Sequence, residues 1–558
     1  MACGGRGRAV ATVIAVLAIS AAGPQCDAGQ RRSVTASEAV STGNIRRHTV
    51  VLASDALEGR APGTVGGSRA ASYISSELER YGVKPLGDEG TFLQQVPLHG
   101  NTPLSDSRLS LISFGETRRL ALGEDYLLYS TGSQTWIPRP APLVFVGYGI
   151  VAPEFDHNDY AEVDVRGKVV VYLSGEPSSV DPGYFSGPEP TVYSSTEAKS
   201  RIALSRGAVG SVMIPVTDDP ARLWSRLRDE FAFEHLTLAY SVPRHLSTIL
   251  HPRLAAGLFA DALYDFQAVL TMHGNHTLRS FHLPVQLSFE GSFRSRNFLA
   301  SNVVGWIEGA DPRMRDRYLV ISAHYDHLGI GPAQAGDAIY NGAVDNALGV
   351  ACVLELARVI TQVTGPPDRS VIFLLSTAEE EGNLGAAYFL DHPPVRHSQM
   401  VANINVDGLA TMDTFDDVVG IGGELSDLGE LLAMAVKPLG LRTSRPKEMV
   451  LGHEAYTRSD QVAFAEAGIP AILVVEGLQW RHTDRAEAML SMRRWFSTVY
   501  HTPRDDADQP LDLAACGQHC GAIAAFALAV ADAPVDPEWR PGVPYAYERL
   551  LSLADEGR

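Results

Sequence analysis

The chain of 558 residues is too long for one ordinary domain and predicts two or three, each able to bury its own core. Its 45% hydrophobic and 20% charged residues are typical of a globular protein. A formal net charge of -19 argues against nucleic acid, and against an anionic membrane surface, as the main partner.

The amino terminus has the layout of a secretory signal peptide. Two arginines precede an apolar run over 9–22, which is too short for a comfortable transmembrane span, and polar residues follow. We therefore expect a signal peptide over 1–28, cleaved between Ser20 and Ala28, and export to the periplasm or the medium. A lipid anchor at Cys26 is disfavoured because the residues before it make a poor lipobox. No later run is expected to span a bilayer.

Three cysteines lie beyond the signal region, which is too few for a disulfide scaffold. Cys516 and Cys520 lie four residues apart in a predicted helix. Their β-carbons are then ~5–6 Å apart, whereas a disulfide prefers ~3.5–4.5 Å. We expect these two and Cys352 to be packing thiols, with a strained Cys516–Cys520 bridge as the alternative.

The segment 33–129 begins with a helix–loop–helix pattern. Apolar residues recur at helical spacing on both sides of the loop Leu57-Glu58-Gly59-Arg60, and the second helix stops at Gly82. By itself the loop is typical of a simple turn.

The segment 130–275 predicts a small β-rich domain. Strand patterns cover 143–151 and 167–173, and a short helix runs into another strand over 207–214. The segment has no clustered ligands, nucleophile or phosphate loop of its own, which suits a binding or lid role.

In the segment 276–535, strands alternate with helices. A helix is predicted over 345–360 with one apolar face. The strand patterns cover 302–307, 318–322, 371–375, 401–406 and 471–475. The fold class is therefore α/β, with a mostly parallel central sheet flanked by helices on both faces. Residues 536–558 are rich in proline and charge and predict an edge or a loose tail.

Polar residues gather where these strands end. His324 and Asp326 follow the apolar run 318–321, and open α/β sheets carry their sites at the carboxyl ends of strands. Alternation in an extended chain puts both side chains on one face, so the carboxylate can orient the imidazole. A histidine in such a loop has a structural alternative, as a surface or hydrogen-bonded residue.

Four further clusters lie at the ends of elements of the same predicted sheet. Asp345 starts a helix, Glu379-Glu380-Glu381 follows a strand, Asp407 ends a strand, and His501 closes a loop before the last helix. Each has a structural alternative, such as a helix N-cap for Asp345. Together, two histidines and three carboxylates at one sheet edge favour a metal site.

Imidazole and carboxylate ligands without thiolate suit Zn²⁺ or another borderline divalent ion. One bridging carboxylate, with a histidine and a carboxylate left for each of two ions, uses five ligands, and five are present. Of the adjacent Glu379 and Glu380, one can bind metal while the other serves as a general base. Neither His-Glu-x-x-His nor Gly-x-Ser-x-Gly occurs, which disfavours single-helix zinc proteases and α/β-hydrolases.

These residues resemble the M28 zinc aminopeptidases, which are dizinc exopeptidases with an α/β sheet. The segment 130–275 resembles the protease-associated domain that is often inserted in this family. The matching motifs are Leu57-Glu58-Gly59-Arg60, Ala323-His324-Tyr325-Asp326-His327-Leu328-Gly329, Gly342 to Gly349, Thr377 to Gly382, Asn405-Val406-Asp407 and Tyr500-His501-Thr502-Pro503.

The resemblance implies a role for each site residue. Asp345 bridges two zinc ions, His324 and Asp407 complete one site, and Glu380 and His501 complete the other. It further implies that Glu379 is the general base, that Asp326 orients His324, and that the peptide bond Asp345–Asn346 is cis.

The chain departs from the family at three positions. Val344 stands where many members have Asp, and Leu348 replaces a smaller residue; neither change removes a ligand. Gln461 follows Ser459-Asp460 where the family has His, which puts any role of that position in the substrate pocket in doubt.

The resemblance implies an exported aminopeptidase that hydrolyses amino-terminal residues from peptides through a dizinc-bound hydroxide. Alternatives are a related metallo-carboxypeptidase, a cyclase of the glutaminyl cyclase type, and a noncatalytic receptor-like homologue. Such receptor-like relatives usually lose ligands or the base, and none is missing here.

Overall fold

The computed structural model describes residues 23–129, 131–132, 135–177, 179, 181, 184–185, 191–445 and 454–554. Residues 1–22 of the predicted signal peptide lie outside this part. The α-helices are α1 Gly23–Glu38, α2 Thr42–Leu52, α3 Val65–Tyr81, α4 Thr196–Ser205, α5 Pro220–Glu230, α6 Ala255–Leu258, α7 Phe266–Gly274, α8 Leu348–Val359, α9 Leu384–Asp391, α10 Leu428–Val436, α11 Glu454–Thr457, α12 Gln461–Glu466, α13 Arg485–Thr498, α14 Leu513–Ala531 and α15 Ala546–Ala554.

The strands are numbered β1 to β22 in chain order. They are β1 Lys84–Pro85, β2 Leu93–Pro103, β3 Arg108–Ser113, β4 Glu116–Leu120, β5 Tyr126–Leu128, β6 Trp136–Phe145, β7 Val151–Ala152, β8 His157–Asn158, β9 Val169–Leu173, β10 Gly210–Ile214, β11 His235–Leu238, β12 Leu246–Leu250, β13 Phe281–Glu290, β14 Phe293–Ile307, β15 Tyr318–His324, β16 Gly329–Gln334, β17 Asp337–Tyr340, β18 Ser370–Ser376, β19 Met400–Asn405, β20 Asp417–Ile421, β21 Arg442–Ser444 and β22 Ala471–Glu476.

The main sheet has the strand order β11-β2-β14-β18-β15-β19-β22-β20-β21, with β1 also paired to β14. Its four central strands, β18, β15, β19 and β22, are parallel. The outer strands from β11 to β14 pair antiparallel, as does β20 with β22. The fold is therefore mixed α/β, and the expectation of a mostly parallel sheet holds only at its centre.

The central strands are mostly apolar because both faces of the sheet are covered. Along β18, Val371 and Phe373 enter a core shared with helices α8 and α14, whereas Ile372 and Leu374 enter a second core against α9 and α12. Helix α8 is buried on all sides except at Arg358, so the single apolar face predicted for it understates its burial.

A second sheet has the order β4-β3-β13-β6-β9-β10-β12-β5. Its strands lie between Arg108 and Glu290 and extend beyond both ends of the segment 130–275. Strands β6, β9, β10 and β12 are parallel, and residues from alternate faces form two separate cores.

Two connections join the second sheet to the main sheet. Strands β2 and β14, which lead into and out of it, pair without a break from Leu93↔Val303 to Pro103↔Phe293. Strand β11 lies in sequence between β10 and β12 of the second sheet, yet it pairs with β2 at the edge of the main sheet. The second sheet thus supplies an edge strand to the main sheet.

Two helical stretches of the described residues are long and apolar enough to cross a membrane, Ala343–Thr364 and Leu513–Ala531. The expectation that no later run could span a bilayer is therefore not confirmed. In each, 72% of the most apolar window is buried inside the protein, as in core helices of a sheet.

Cys352, Cys516 and Cys520 are free and buried, so packing thiols are confirmed among the described residues. The chain beyond Ala533 packs against the main sheet. There Asp536 pairs with Arg317 and Arg369, and the indole of Trp539 donates a hydrogen bond to the carbonyl of Gly468.

Candidate metal centre

The predicted site residues meet at the carboxyl ends of adjacent parallel strands. His324 is the last residue of β15, Asp407 follows β19 by two residues, and Glu379 and Glu380 lie in the loop after β18. Because parallel strands end at one edge, residues far apart in sequence come together there. Asp345 precedes α8, and His501 lies in the loop between α13 and α14.

One half of the cluster centres on His324, whose side chain is buried. Its Nε2 lies 3.3 Å from Asp345 Oδ1 and 3.3 Å from Asp407 Oδ1. The Asp407 side chain keeps 25% of its surface exposed. This half therefore opens toward solvent on the Asp407 side.

The other half centres on His501. Its Nε2 lies 3.2 Å from Asp345 Oδ2 and 3.1 Å from Glu380 Oε2. The two oxygens of Asp345 therefore face different histidines, so this carboxylate is common to both halves.

These spacings fit a zinc pair. Ligand atoms ~2.0–2.1 Å from a tetrahedral zinc ion lie about 3.3 Å from each other. The buried Nε2 of His501 makes no hydrogen bond to any described residue, although two carboxylates lie beside it. A metal ion bound to Nε2 of His501 would account for both the missing hydrogen bond and the two adjacent carboxylates.

Charge balance supports the same fit. Asp345, Glu379, Glu380 and Asp407 bring four carboxylates together with two histidines. The donor atoms of His324, Glu379 and Asp407 lie within 4.8 Å of one another, as do those of His324, Asp345 and Glu380. Buried like charges at such distances need compensation, and two divalent cations would match four carboxylates.

The pKa values reflect this crowding. Burial by itself raises the pKa of Asp345, but the neighbouring imidazoles of His324 and His501 hold it well below its usual range. The pKa of Glu380 is about 2, because the positive fields of His501 and His327 outweigh burial and the nearby Asp345.

The pKa of Glu379 shifts in the opposite direction. It is 8% exposed, and its Oε2 lies 3.9 Å from His324 Nε2. Burial raises the pKa of Glu379 well above its usual range, against the lowering field of His324, and Asp407 and Glu380 raise it further. A carboxyl group with a raised pKa beside metal ligands is suited to accept and release a proton.

Asp326 lies beneath His324 and reaches it through two contacts. The Nδ1 of His324 is 3.3 Å from the main-chain oxygen of Asp326 and 3.9 Å from its Oδ1. The same Oδ1 accepts a hydrogen bond of 3.2 Å from the amide of Glu379. The Asp326 carboxylate therefore touches the general-base candidate as well as the histidine.

His327 belongs to the motif Ala323-His324-Tyr325-Asp326-His327-Leu328-Gly329, but the sequence patterns predicted no role for it. Its Nδ1 lies 2.6 Å from Glu380 Oε1, which leaves Oε2 of Glu380 directed at His501. His327 thus fixes the orientation of a predicted ligand. Its place directly after Asp326, and three residues after His324, was the sequence feature that could have indicated this role.

Arg60 and Asp505 hold the loops that carry the predicted ligands. The buried guanidinium of Arg60 donates to the carbonyls of Tyr325 and Gly342, among others, and so joins two ligand loops. The Asp505 carboxylate accepts the amides of Val344 and Asp345. Arg60 ends the motif Leu57-Glu58-Gly59-Arg60, which by itself indicates a turn, and Asp505 follows the motif Tyr500-His501-Thr502-Pro503 by two residues.

Two expectations from the resemblance concern the neighbouring backbone and pocket. The peptide bond Asp345–Asn346 is cis, as expected. Gln461 is buried, accepts a hydrogen bond from Asn405 and donates one to the carbonyl of Tyr456. It therefore supports the strand that leads to Asp407.

Residues 302–527 match the profile of Peptidase family M28. Aminopeptidase YwaD of Bacillus subtilis is 26% identical over 216 residues, which cover 38% of this chain and 41% of that protein. A probable zinc metalloprotease of Pyricularia oryzae is 34% identical over 125 residues, 22% of each chain. The chain thus covers less than half of each of these relatives.

Among solved structures, an aminopeptidase from Aneurinibacillus sp. strain AM-1 aligns with a TM-score of 0.53 at 19% identity. The alignment covers 91% of this chain and 98% of that one. This likeness establishes a shared mixed α/β fold over nearly the whole chain.

Proposed function

Because residues 302–527 match the profile of peptidase family M28, we propose that the chain is a zinc aminopeptidase of this family with two metal ions per chain. The observation that carries this proposal is the Asp345 carboxylate, whose oxygens lie 3.3 Å from His324 and 3.2 Å from His501. The names of the relatives, an aminopeptidase and a zinc metalloprotease, agree with it.

In this proposal, Asp345 holds both zinc ions. His324 and Asp407 hold one, and Glu380 and His501 the other. When bound there, zinc would supply Lewis acidity toward the scissile carbonyl and the attacking water. The exposed sides of Asp407 and His501 leave room for a peptide to reach them.

Glu379 is proposed as the general base. It accepts the proton of the attacking water and donates it to the departing amine nitrogen. The raised pKa of its carboxyl group, due mainly to burial, suits a group that must both accept and release a proton near neutral pH. Asp326 orients this residue and His324, and His327 orients Glu380.

We also propose that the unit between Arg108 and Glu290, which contains the segment 130–275, is a protease-associated domain. Its eight-stranded sheet and its two cores support a separately packed unit. Export rests on the amino-terminal leader pattern, and amino-terminal sequencing of the protein from a periplasmic or culture fraction tests it.

The test is hydrolysis of a panel of aminoacyl-p-nitroanilides by the purified protein, before and after chelation and with zinc restored. We expect activity that chelator abolishes and zinc restores. The Glu379→Gln variant is expected to keep its zinc and to lose roughly 10²–10⁴-fold in kcat.

The alternatives give different results in the same experiment. Two bound zinc ions without turnover of any p-nitroanilide would favour carboxypeptidase or cyclase chemistry, which carboxyl-terminal peptide substrates and glutaminyl peptides would then distinguish. A protein that binds no zinc would favour the receptor-like homologue and refute the proposal.

A further inference from the structure

One short segment of the second unit reaches the catalytic loop. We call strand β11, residues 235–238, the clasp segment, and residues 378–382, between β18 and α9, the catalytic loop. This loop carries both Glu379 and Glu380. The clasp segment pairs with β2 at the sheet edge and so is fixed to the main sheet.

The side chain that joins them is Glu381, which directly follows Glu380. Its Oε2 accepts a hydrogen bond of 3.1 Å from the amide of Leu236 and lies 3.4 Å from His235 Nδ1. Both contacts are mostly shielded, since the side chains of His235 and Glu381 are 18% and 19% exposed. A carboxylate with two such donors is held firmly.

His235 is itself anchored on its far side. Its Nε2 lies 3.2 Å from the main-chain oxygen of Leu128, at the end of β5 in the second sheet. The imidazole therefore bridges the second sheet and the catalytic loop.

The catalytic loop needs this support because its backbone is strained next to the general base. Ala378 has φ 57°, a left-handed conformation that is unfavourable for a residue with a β-carbon. Ala378 is fully buried in a small core that includes Leu236 and Leu238 of the clasp segment. The clasp segment thus packs on the residue before Glu379 and binds the residue after Glu380.

Phe233, two residues before the clasp segment, makes a second contact, with the hairpin that lies between the predicted ligands His324 and Asp345. The ring of Phe233 packs edge-on against Tyr340, with centroids 5.0 Å apart. Tyr340 ends the hairpin of β16 and β17, which lies in sequence between the ligands His324 and Asp345.

We propose that the clasp segment is a positioning element of the catalytic centre, which holds Glu379 and Glu380 in place through Glu381 and His235. The inference rests on the proposed function, and it assigns to the second unit a part in catalysis other than substrate binding. Glu381 and His235 are positioning residues, because neither touches the metal ligands' donor atoms.

The test compares Glu381→Ala, His235→Ala and the double variant. We expect each single change to lower kcat by on the order of 10- to 100-fold, because small displacements of catalytic groups have effects of that size. KM should change by less than about threefold. The kcat of the double variant should be no lower than that of the slower single variant, because both changes break the same contact between Glu381 and His235.

Glu234→Gln is the matched control. Glu234 adjoins His235 and pairs with Arg296 on β14, with no link to the catalytic loop. We expect kcat of this variant to equal that of the parent. An equal loss in Glu234→Gln and Glu381→Ala, or single effects that multiply in the double variant, would overturn the inference.

Hydrogen exchange supplies a readout that does not depend on activity. Amides of 378–385, three of which bond within the loop, should exchange faster in Glu381→Ala than in the parent or in Glu234→Gln. If the parent cleaves no p-nitroanilide, the proposed function fails and exchange alone decides this inference. Equal exchange in the parent and Glu381→Ala would then refute it.

Discussion

Replacing Arg60 with methionine would test whether one buried guanidinium holds the ligand loops together. Arg60 is 1% exposed. Burial lowers its pKa to about 10, although Asp505 and Asp326 raise it. It donates hydrogen bonds to the main-chain oxygens of Leu52, Tyr325, Asn341 and Gly342. Methionine keeps the apolar stem but leaves all four oxygens without this donor.

The expected loss of stability follows from these four bonds. At about 1 kcal/mol net for each bond, the loss is about 4 kcal/mol. This agrees with the ~3–5 kcal/mol that removal of one partner from a buried charge set costs. For the roughly 340 residues around the main sheet, an unfolding entropy of about 2.1 cal/mol/K per residue means that each kcal/mol lowers Tm by about 1.4 °C, so a fall of about 6 °C is expected.

The assay is scanning calorimetry of the parent and variant in chelator, so that loss of metal does not contribute. Arg69→Met is the matched control, because Arg69 makes one exposed hydrogen bond, of 3.0 Å, to the carbonyl of Ala56. If Arg60→Met melts within about 3 °C of Arg69→Met, the four buried bonds do not carry the assigned energy.

Two further predictions concern the metal ions and the second sheet. Asp345→Ala should lose both zinc ions, since this carboxylate faces both histidines, whereas Asp407→Ala should keep one; equal zinc contents by elemental analysis would contradict this. Burial lowers the pKa of Lys199 to about 7, against the raising fields of Asp159 and Glu176. Between pH 7 and about 10 the unfolded chain therefore holds more protons at this site, and the lysine's contribution to stability rises with pH. The Tm of the parent minus that of Lys199→Met should accordingly increase from pH 7 to 9.5, and a flat or falling difference would refute the assignment.

The cluster of proposed ligands could be located from the sequence because each of these residues follows a strong local signal. Buried parallel strands are continuous apolar runs, and a polar residue at their carboxyl end stands out, as His324 does after β15 and Asp407 after β19. Because such strands share one edge, the signals converge without knowledge of strand order. The distances between individual oxygens and ring nitrogens needed the three-dimensional structure.

Elements that depend on distant partners could not be predicted in this way. Helix α1 is polar and carries no strong helical pattern of its own, but it packs against α14, where Gly521 lets Ser37 approach closely. Strand β11 is four residues long and gains its hydrogen bonds from β2, more than a hundred residues earlier. Tertiary contacts override weak local preference in both cases.

The paired strands β2 and β14 bear on how the chain folds. Their ends Pro103 and Phe293 are opposite each other, although about 190 residues separate them in sequence, and closing so long a loop by chance is slow and entropically costly. The second sheet bridges this interval, because β3 and β13, which adjoin these strands in sequence, are themselves neighbours in it. Once formed, the second sheet acts as a tight turn and brings β14 to β2 like the arms of a hairpin. We therefore expect the second sheet to assemble first and the edge of the main sheet to close upon it.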